Sequence, residues 1–263
     1  MTPELGGART PEPGESTPQP AAAGDLALVA EHTARLLDTT RSLADTSAPS
    51  LCEGWSRGHV VTHVARNAEA IGRLAQWALT GTPQEMYPGG TEGRDGAIEA
   101  GAGRPVSELV ADLADTAAGL APRLAALSGP RAAEEVELRG GLRVPSVRLP
   151  FLRLREVVYH HVDLDAGFGF ADVDGDLLCR FIDDAVSRLD LGRHPPVLQL
   201  TSEEGDSWSV GGAGSSVGST ASAPGAGSVT GTRAGLLLWL ARRIPDAVRT
   251  RDGQEPPHLP RGA

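Results

Sequence analysis

Lysine is missing altogether: every one of the 24 basic residues is arginine, against 34 acidic residues, for a net charge of −10 over 263 residues. With that balance and no clustered basic patch, the chain lacks the footprint of a nucleic-acid binder. Cysteine is nearly absent as well. Cys52 and Cys179 belong to no pairing or metal motif, so they are read as incidental or structural, and a reducing cytoplasm is the expected setting. No run of about eighteen apolar residues and no basic-then-apolar start occurs, which excludes a spanning helix and a secretory signal from the expectations. Aromatic residues make up only 4% of the chain, so each one, Trp55 among them, is expected to anchor packing. What is plentiful is Ala, Gly, Pro and Arg, the composition of a GC-rich genome. With 40% hydrophobic and 22% charged residues, the chain suits one large soluble domain or two modest ones.

The stretch RLREVVYHHVDLDAGF, residues 153–168, concentrates the chemistry. Glu156 and His160 are an i, i+4 pair, so a helix sets them about 40° apart and one turn from each other. A carboxylate and an imidazole on one helix face are what a divalent metal takes from a single helix. Phe151, Leu152, Leu154, Val157, Val158, Tyr159, Val162 and Leu164 surround them, so this helix is expected to be buried on most sides. A carboxylate there needs a metal or a cationic partner. His161 falls about 140° from Glu156 and is assigned to packing or to support of a ligand. Asp163 continues the Glu156–His160 stripe.

A third donor lies upstream. Ser56 is a plausible N-cap for a helix over 57–80, with Val60, Val61, Val64, Ile71 and Leu74 at helical spacing. His59, His63 and Asn67 follow one another at i, i+4. His59 sits in the first turn and is read as an ordinary surface histidine. His63, one turn deeper, can face another helix of a bundle. His63 with Glu156 and His160 makes a three-ligand set with one position open, which is catalytic in character. Asn67, one turn on, is expected near the metal as a polar contact.

At these residues the chain resembles the mycothiol-dependent maleylpyruvate isomerases of actinobacteria, within the DinB-like metal-binding four-helix bundles. The segments that carry the resemblance are EGWSRGHVVTHVARNAEAI, GTPQEMYPGGTEGRDGAIEAG and LREVVYHHVDLDAGF, in that order, with TGTRAGLLLWLARR and GQEPPHLP near the end. The resemblance implies an α+β protein, with an N-terminal DinB-like four-helix bundle and a small C-terminal α+β domain. It implies zinc as the divalent metal, with His63, Glu156 and His160 as ligands, mycothiol as the thiol cosubstrate and maleylpyruvate as the substrate. Arg94 matches an arginine expected to hold a substrate or thiol carboxylate. Arg243 matches the terminal arginine of a Gly-Arg pair, although Arg242 stands here in place of the glycine. A monomer is implied on the same ground.

In chain order, residues 1–23 are Pro/Gly/Thr/Ala-rich and are expected to be a disordered leader. A first helix begins at Asp25 as its cap. Residues 81–104 are expected to form a long Gly-rich loop bordering the site, followed by a helix over about 105–127 with Pro122 as a kink. A short extended or hairpin passage leads into the central helix at 149–168, which ends a bundle spanning 24–170. The C-terminal domain, 171–263, is expected to hold a helix over 175–191 and two strands around EEGD. It then has a flexible insertion at 211–227 within a hairpin, and a last strand and helix.

The chemistry the resemblance implies for this site is the cis–trans isomerisation of maleylpyruvate to fumarylpyruvate, a step in gentisate breakdown. A free thiol is only a few per cent thiolate at neutral pH, and coordination to a metal deprotonates it. The thiolate adds to the cis double bond of a conjugated keto acid, the single bond rotates, and elimination leaves the trans alkene. Two further readings stand beside it: another mycothiol-dependent S-transferase acting on a different electrophile, and a metal-binding module without catalysis.

Overall fold

The computed structural model describes residues 20–129, 131, 134–189, 197–211 and 227–259. Four helices form the bundle: α1 (Pro20–Ser42), α2 (Arg57–Thr80), α4 (Val106–Ala126) and α5 (Leu149–Asp163), with α3 (Gly90–Ala102) laid against α2. Each of α1 and α2 packs on both α4 and α5. The helices therefore alternate around the bundle, and α2 and α5 are neighbours. Leu36, Val60, Val61, Val64, Leu109, Leu113 and Val157 close its centre. A second cluster, with Ile71, Leu74, Leu120, Leu124 and Val136, lies toward the antiparallel hairpin of β1 (Glu135–Glu137) and β2 (Arg143–Pro145).

The C-terminal part is α+β. Helix α6 (Gly175–Arg188) and helix α7 (Arg233–Arg242) cover a sheet of β3 (Leu198–Ser202), β4 (Ser207–Val210), β5 (Gly227–Gly231) and β6 (Val248–Thr250). The strand order is β4-β3-β5-β6, with β3 and β5 parallel and the other two pairings antiparallel. Its core includes Phe181, Leu200, Trp208, Leu237 and Trp239, together with Phe151, Leu154, Val158, Tyr159 and Val162 from α5. The helix that carries Glu156 and His160 thus closes the bundle on one face and completes the second core with the other.

Several expectations change. Helix α1 starts at Pro20 rather than at Asp25. Pro20 suits a first helical position, and the alanines after it are the strongest helix formers, so residues 20–23 leave the expected leader. Asp25 is consequently buried within the helix, paired with Arg180 of α6 at 2.6 Å. The remainder of the leader, and 212–226 of the expected insertion, lie outside the described residues. That insertion does not sit inside a hairpin: β4 and β5 flank β3 on opposite sides. The Gly-rich stretch 81–104 is not simply a loop, because it contains α3. Glycine weakens a helix, yet here it permits contact with α2: a Cβ on Gly101 would come within 2.5 Å of the Thr62 methyl, and one on Gly58 within 2.1 Å of the Ala102 carbonyl oxygen. The central helix stops at Asp163, five residues short of the expected end, and Asp165 turns the chain with φ of 47°.

Candidate metal centre

Helix α2 is started by Ser56. Its backbone N–H donates to His59 Nδ1 at 3.2 Å, while its hydroxyl accepts from the His59 backbone N–H at 3.4 Å. His59 is thereby used as a cap, and its Nε2 meets Glu99 at 3.0 Å. One turn deeper, His63 points between α2 and α5, where α5 presents Glu156 and His160 on successive turns. His63 Nε2 lies 3.2 Å from Glu156 Oε2, and His160 Nε2 lies 3.6 Å from the same oxygen. The two imidazole rings meet edge to face, 4.5 Å between centroids.

Donor spacing tests whether these residues fit a metal. A tetrahedral ion with bonds of about 2.0–2.1 Å needs donors about 3.3 Å apart. The two measured separations bracket that value, and all three donor atoms lie within 4.8 Å of one another. No fourth donor joins this group among the described residues, which leaves a position for a small molecule. A second group, Cys52, His160 and Asp163, gathers at the far nitrogen of His160. Its carboxylate is already held by an arginine, and this group reads as support for the first.

In that support, fully buried Asp163 accepts from His160 Nδ1 at 2.7 Å and from the Cys52 thiol at 3.1 Å. Arg242 donates to both of its oxygens, through Nε and, at 2.6 Å, through Nη2. On the other side, the Asn67 amide donates to Glu156 at 3.3 Å, and its oxygen accepts from Arg153 at 2.8 Å. Burial pushes His63 down to about 4, aided by the charge of His160 and opposed by Glu156. Burial would raise the Glu156 carboxyl, but hydrogen bonds from His160 and His63 hold it well below the usual range. Burial would likewise lower His160, and hydrogen bonds with Asp163, Cys52 and Glu156 instead lift it well above.

A cleft of about 280 Å³ opens beside Glu156 and His160, between α5, α6 and α7. Arg155, Arg188, Arg242 and Arg243 line it, along with Tyr159. Arg155 and Arg188 are tied to buried Asp184, at 2.8 and 2.9 Å. Arg243 caps the end of α7, with a left-handed φ of 62° and a hydrogen bond to the Leu240 carbonyl. Arg94 approaches from α3: its guanidinium lies 3.4 Å from His63 Nδ1 and over the rings of Trp55 and Tyr87. The structure thus gathers His63, Asn67, Arg94, Glu156 and His160 in one place, with Arg243 on the adjoining cleft wall. His161 turns away, bonded to Thr39 at 2.7 Å and stacked on Phe168. Sequence reasoning missed Arg155, Arg188 and Tyr159 as cleft residues. The tyrosine hydroxyl has no hydrogen-bond partner among the described residues, and burial pushes it up to about 12.

Residues 12–165, more than half the chain, match the family described as mycothiol maleylpyruvate isomerase N-terminal domain. A crystal structure of the mycothiol-dependent maleylpyruvate isomerase is similar with a TM-score of 0.77 and 28% identity, covering 90% of this chain and 96% of that one. A histidine-to-alanine mutant of that enzyme aligns with a TM-score of 0.76 at the same identity and the same coverage. No curated protein sequence matches. No helix among the described residues is long and apolar enough to cross a membrane. From the match over its N-terminal half and the likeness in fold, the chain belongs to the mycothiol maleylpyruvate isomerase family.

Proposed function

We propose that the protein is a mycothiol-dependent isomerase that converts maleylpyruvate to fumarylpyruvate. The observation that carries this reading is the open three-donor group of His63, Glu156 and His160 beside an arginine-lined cleft. These three residues would hold the metal, for which we propose zinc, the ion that imidazole and carboxylate donors at this spacing suit. Bound there, the metal supplies a thiol pKa low enough for the thiolate to be the populated form. Thiolate sulfur adds to one carbon of the cis double bond, and the π electrons move into an enolate across the neighbouring carbonyl. The former double bond turns as a single bond. The enolate then expels the thiolate, so the C–S bond breaks, the trans alkene forms and no atom is gained or lost.

Arginines are suited to a dicarboxylate substrate because the guanidinium matches carboxylate geometry and is always charged. Arg94, over the rings of Trp55 and Tyr87 at the His63 side, and Arg243, on the cleft wall, are assigned as contacts to a substrate carboxylate or to mycothiol. Asn67 steadies Glu156 and stands near enough to contact either ligand. Fixing both ends of the substrate lets the central bond rotate without release of the intermediate.

Incubating the protein with zinc, mycothiol and maleylpyruvate is expected to give free fumarylpyruvate with no net loss of thiol. A stable thioether would show a transferase acting on this electrophile and overturn the isomerase reading. His63→Ala is expected to lose metal and activity together; full activity in that variant would overturn the ligand assignment.

A further inference from the structure

We propose that Asp163 is a positioning residue for His160, and that Arg242 of α7 holds it in that role. The inference rests on the metal reading of His63, Glu156 and His160, and adds what decides which nitrogen of His160 is offered to the ion. Asp163 is fully buried, and its two oxygens take four donors: His160 Nδ1, the Cys52 thiol, and Nε and Nη2 of Arg242. Guanidinium groups donate only, so the carboxylate facing Arg242 stays ionised and accepts only. The His160 Nδ1 that meets it at 2.7 Å must therefore carry hydrogen. In the neutral ring that leaves the lone pair on Nε2, the atom beside Glu156 and His63.

The hold comes from a distant part of the chain. Arg242 closes α7, whose helix is buried in the C-terminal core, and it lies 79 residues beyond Asp163. The side chain also rests over the Tyr159 ring, 5.4 Å from its centroid. Orientation of a ligand in the bundle is thus set from the other half of the molecule. A substrate-binding role for Arg242 would instead leave metal affinity indifferent to its removal.

Asp163→Asn separates the possibilities, because an amide has one acceptor oxygen in place of two. His160 Nδ1 and Arg242 Nη2 share Oδ2, while Oδ1 meets Arg242 Nε, so either placement of the amide sets its NH2 against a donor and the hold on His160 loses both charge and alignment. Zinc affinity, read by competition with a chromophoric chelator, is expected to fall by about 10–100-fold, the usual effect of losing such a partner. Arg242→Gln alone keeps the carboxylate and is expected to weaken zinc several-fold. Combined with Asp163→Asn it removes the guanidinium that the amide NH2 meets, so the double variant is expected to bind more tightly than Asp163→Asn alone. Imidazole ¹⁵N spectra of the zinc-loaded protein should show Nε2 of His160 as the coordinated nitrogen. Wild-type affinity in Asp163→Asn, or losses that simply multiply in the double variant, would overturn the proposal. If Asp163→Asn fails to fold, unchanged zinc affinity in Arg242→Gln overturns it alone. A wild-type protein that takes no zinc would instead sink the metal reading itself.

Discussion

Removing the Asp184 carboxylate tests how the cleft is held together. Asp184 accepts from Arg155 at 2.8 Å, Arg188 at 2.9 Å and Arg148 at 3.3 Å. Breaking a buried ion pair by deleting one partner costs about 3–5 kcal/mol, because a buried charge is left uncompensated. Arg148 and Arg188 are 50% and 41% exposed and will rehydrate, whereas Arg155 is only 17% exposed and will not. Asp184→Ala is therefore expected to cost roughly 2–3 kcal/mol, lowering Tm by roughly 4–12 °C for a chain of this size. Arg155 also lies 3.8 Å from Glu156, and with Asp184 gone that carboxylate is its remaining partner. It then competes with the metal for Glu156, so zinc affinity should fall alongside stability. Thermal unfolding of the metal-free protein and chelator competition read the two effects. Adding Arg155→Ala to Asp184→Ala removes the stranded charge, and the double variant should melt above the single one. A single variant with wild-type Tm, or a double variant that melts lower still, would refute the reasoning.

Asn67→Ala removes one acceptor from fully buried Arg153, which keeps the Val64 carbonyl at 2.8 Å. The expected cost is about 1.5–3 kcal/mol, since hydrogen bonds to charged groups are worth about that, and equilibrium denaturation of the metal-free protein checks it. His161 is held down at about 3 by burial, with Arg35 and His32 adding to the shift. Its neutral form is thus native, while the unfolded ring binds a proton near its ordinary 6.5. Between those values the unfolded state holds more protons, so stability falls as pH drops from 6.5 toward 3, by up to roughly 5 kcal/mol. His161→Gln should flatten that part of the stability–pH curve, and identical slopes in the two proteins would contradict the assignment.

Where the chemistry is local, the sequence is readable. The α2 boundaries follow from Ser56 and the apolar spacing behind it, and Glu156 and His160 declare themselves through i, i+4 spacing in an apolar helix. Helix α3 was hidden because glycine's poor propensity is outweighed by close packing on α2, and that contact is tertiary. The parallel pairing of β3 with β5 is likewise invisible, since no turn signal joins strands that bracket a long intervening stretch. Asp163 was noticed on its stripe, but nothing local announces a partner from α7. In the sequence Tyr159 reads as part of the apolar surround of a buried helix and Arg155 carries no signal, because which flank borders a cleft depends on where α6 and α7 settle.

The double burial of α5 has a consequence for dissecting the molecule. Its outer flank contributes Phe151, Leu154, Val158, Tyr159 and Val162 to the core built by α6, α7 and the sheet. Cutting the chain after the bundle would strand those five side chains in water on the same rod that carries Glu156 and His160. A fragment trimmed to the family's N-terminal segment would then be sticky and prone to self-association, with its ion-binding helix no longer clamped from behind.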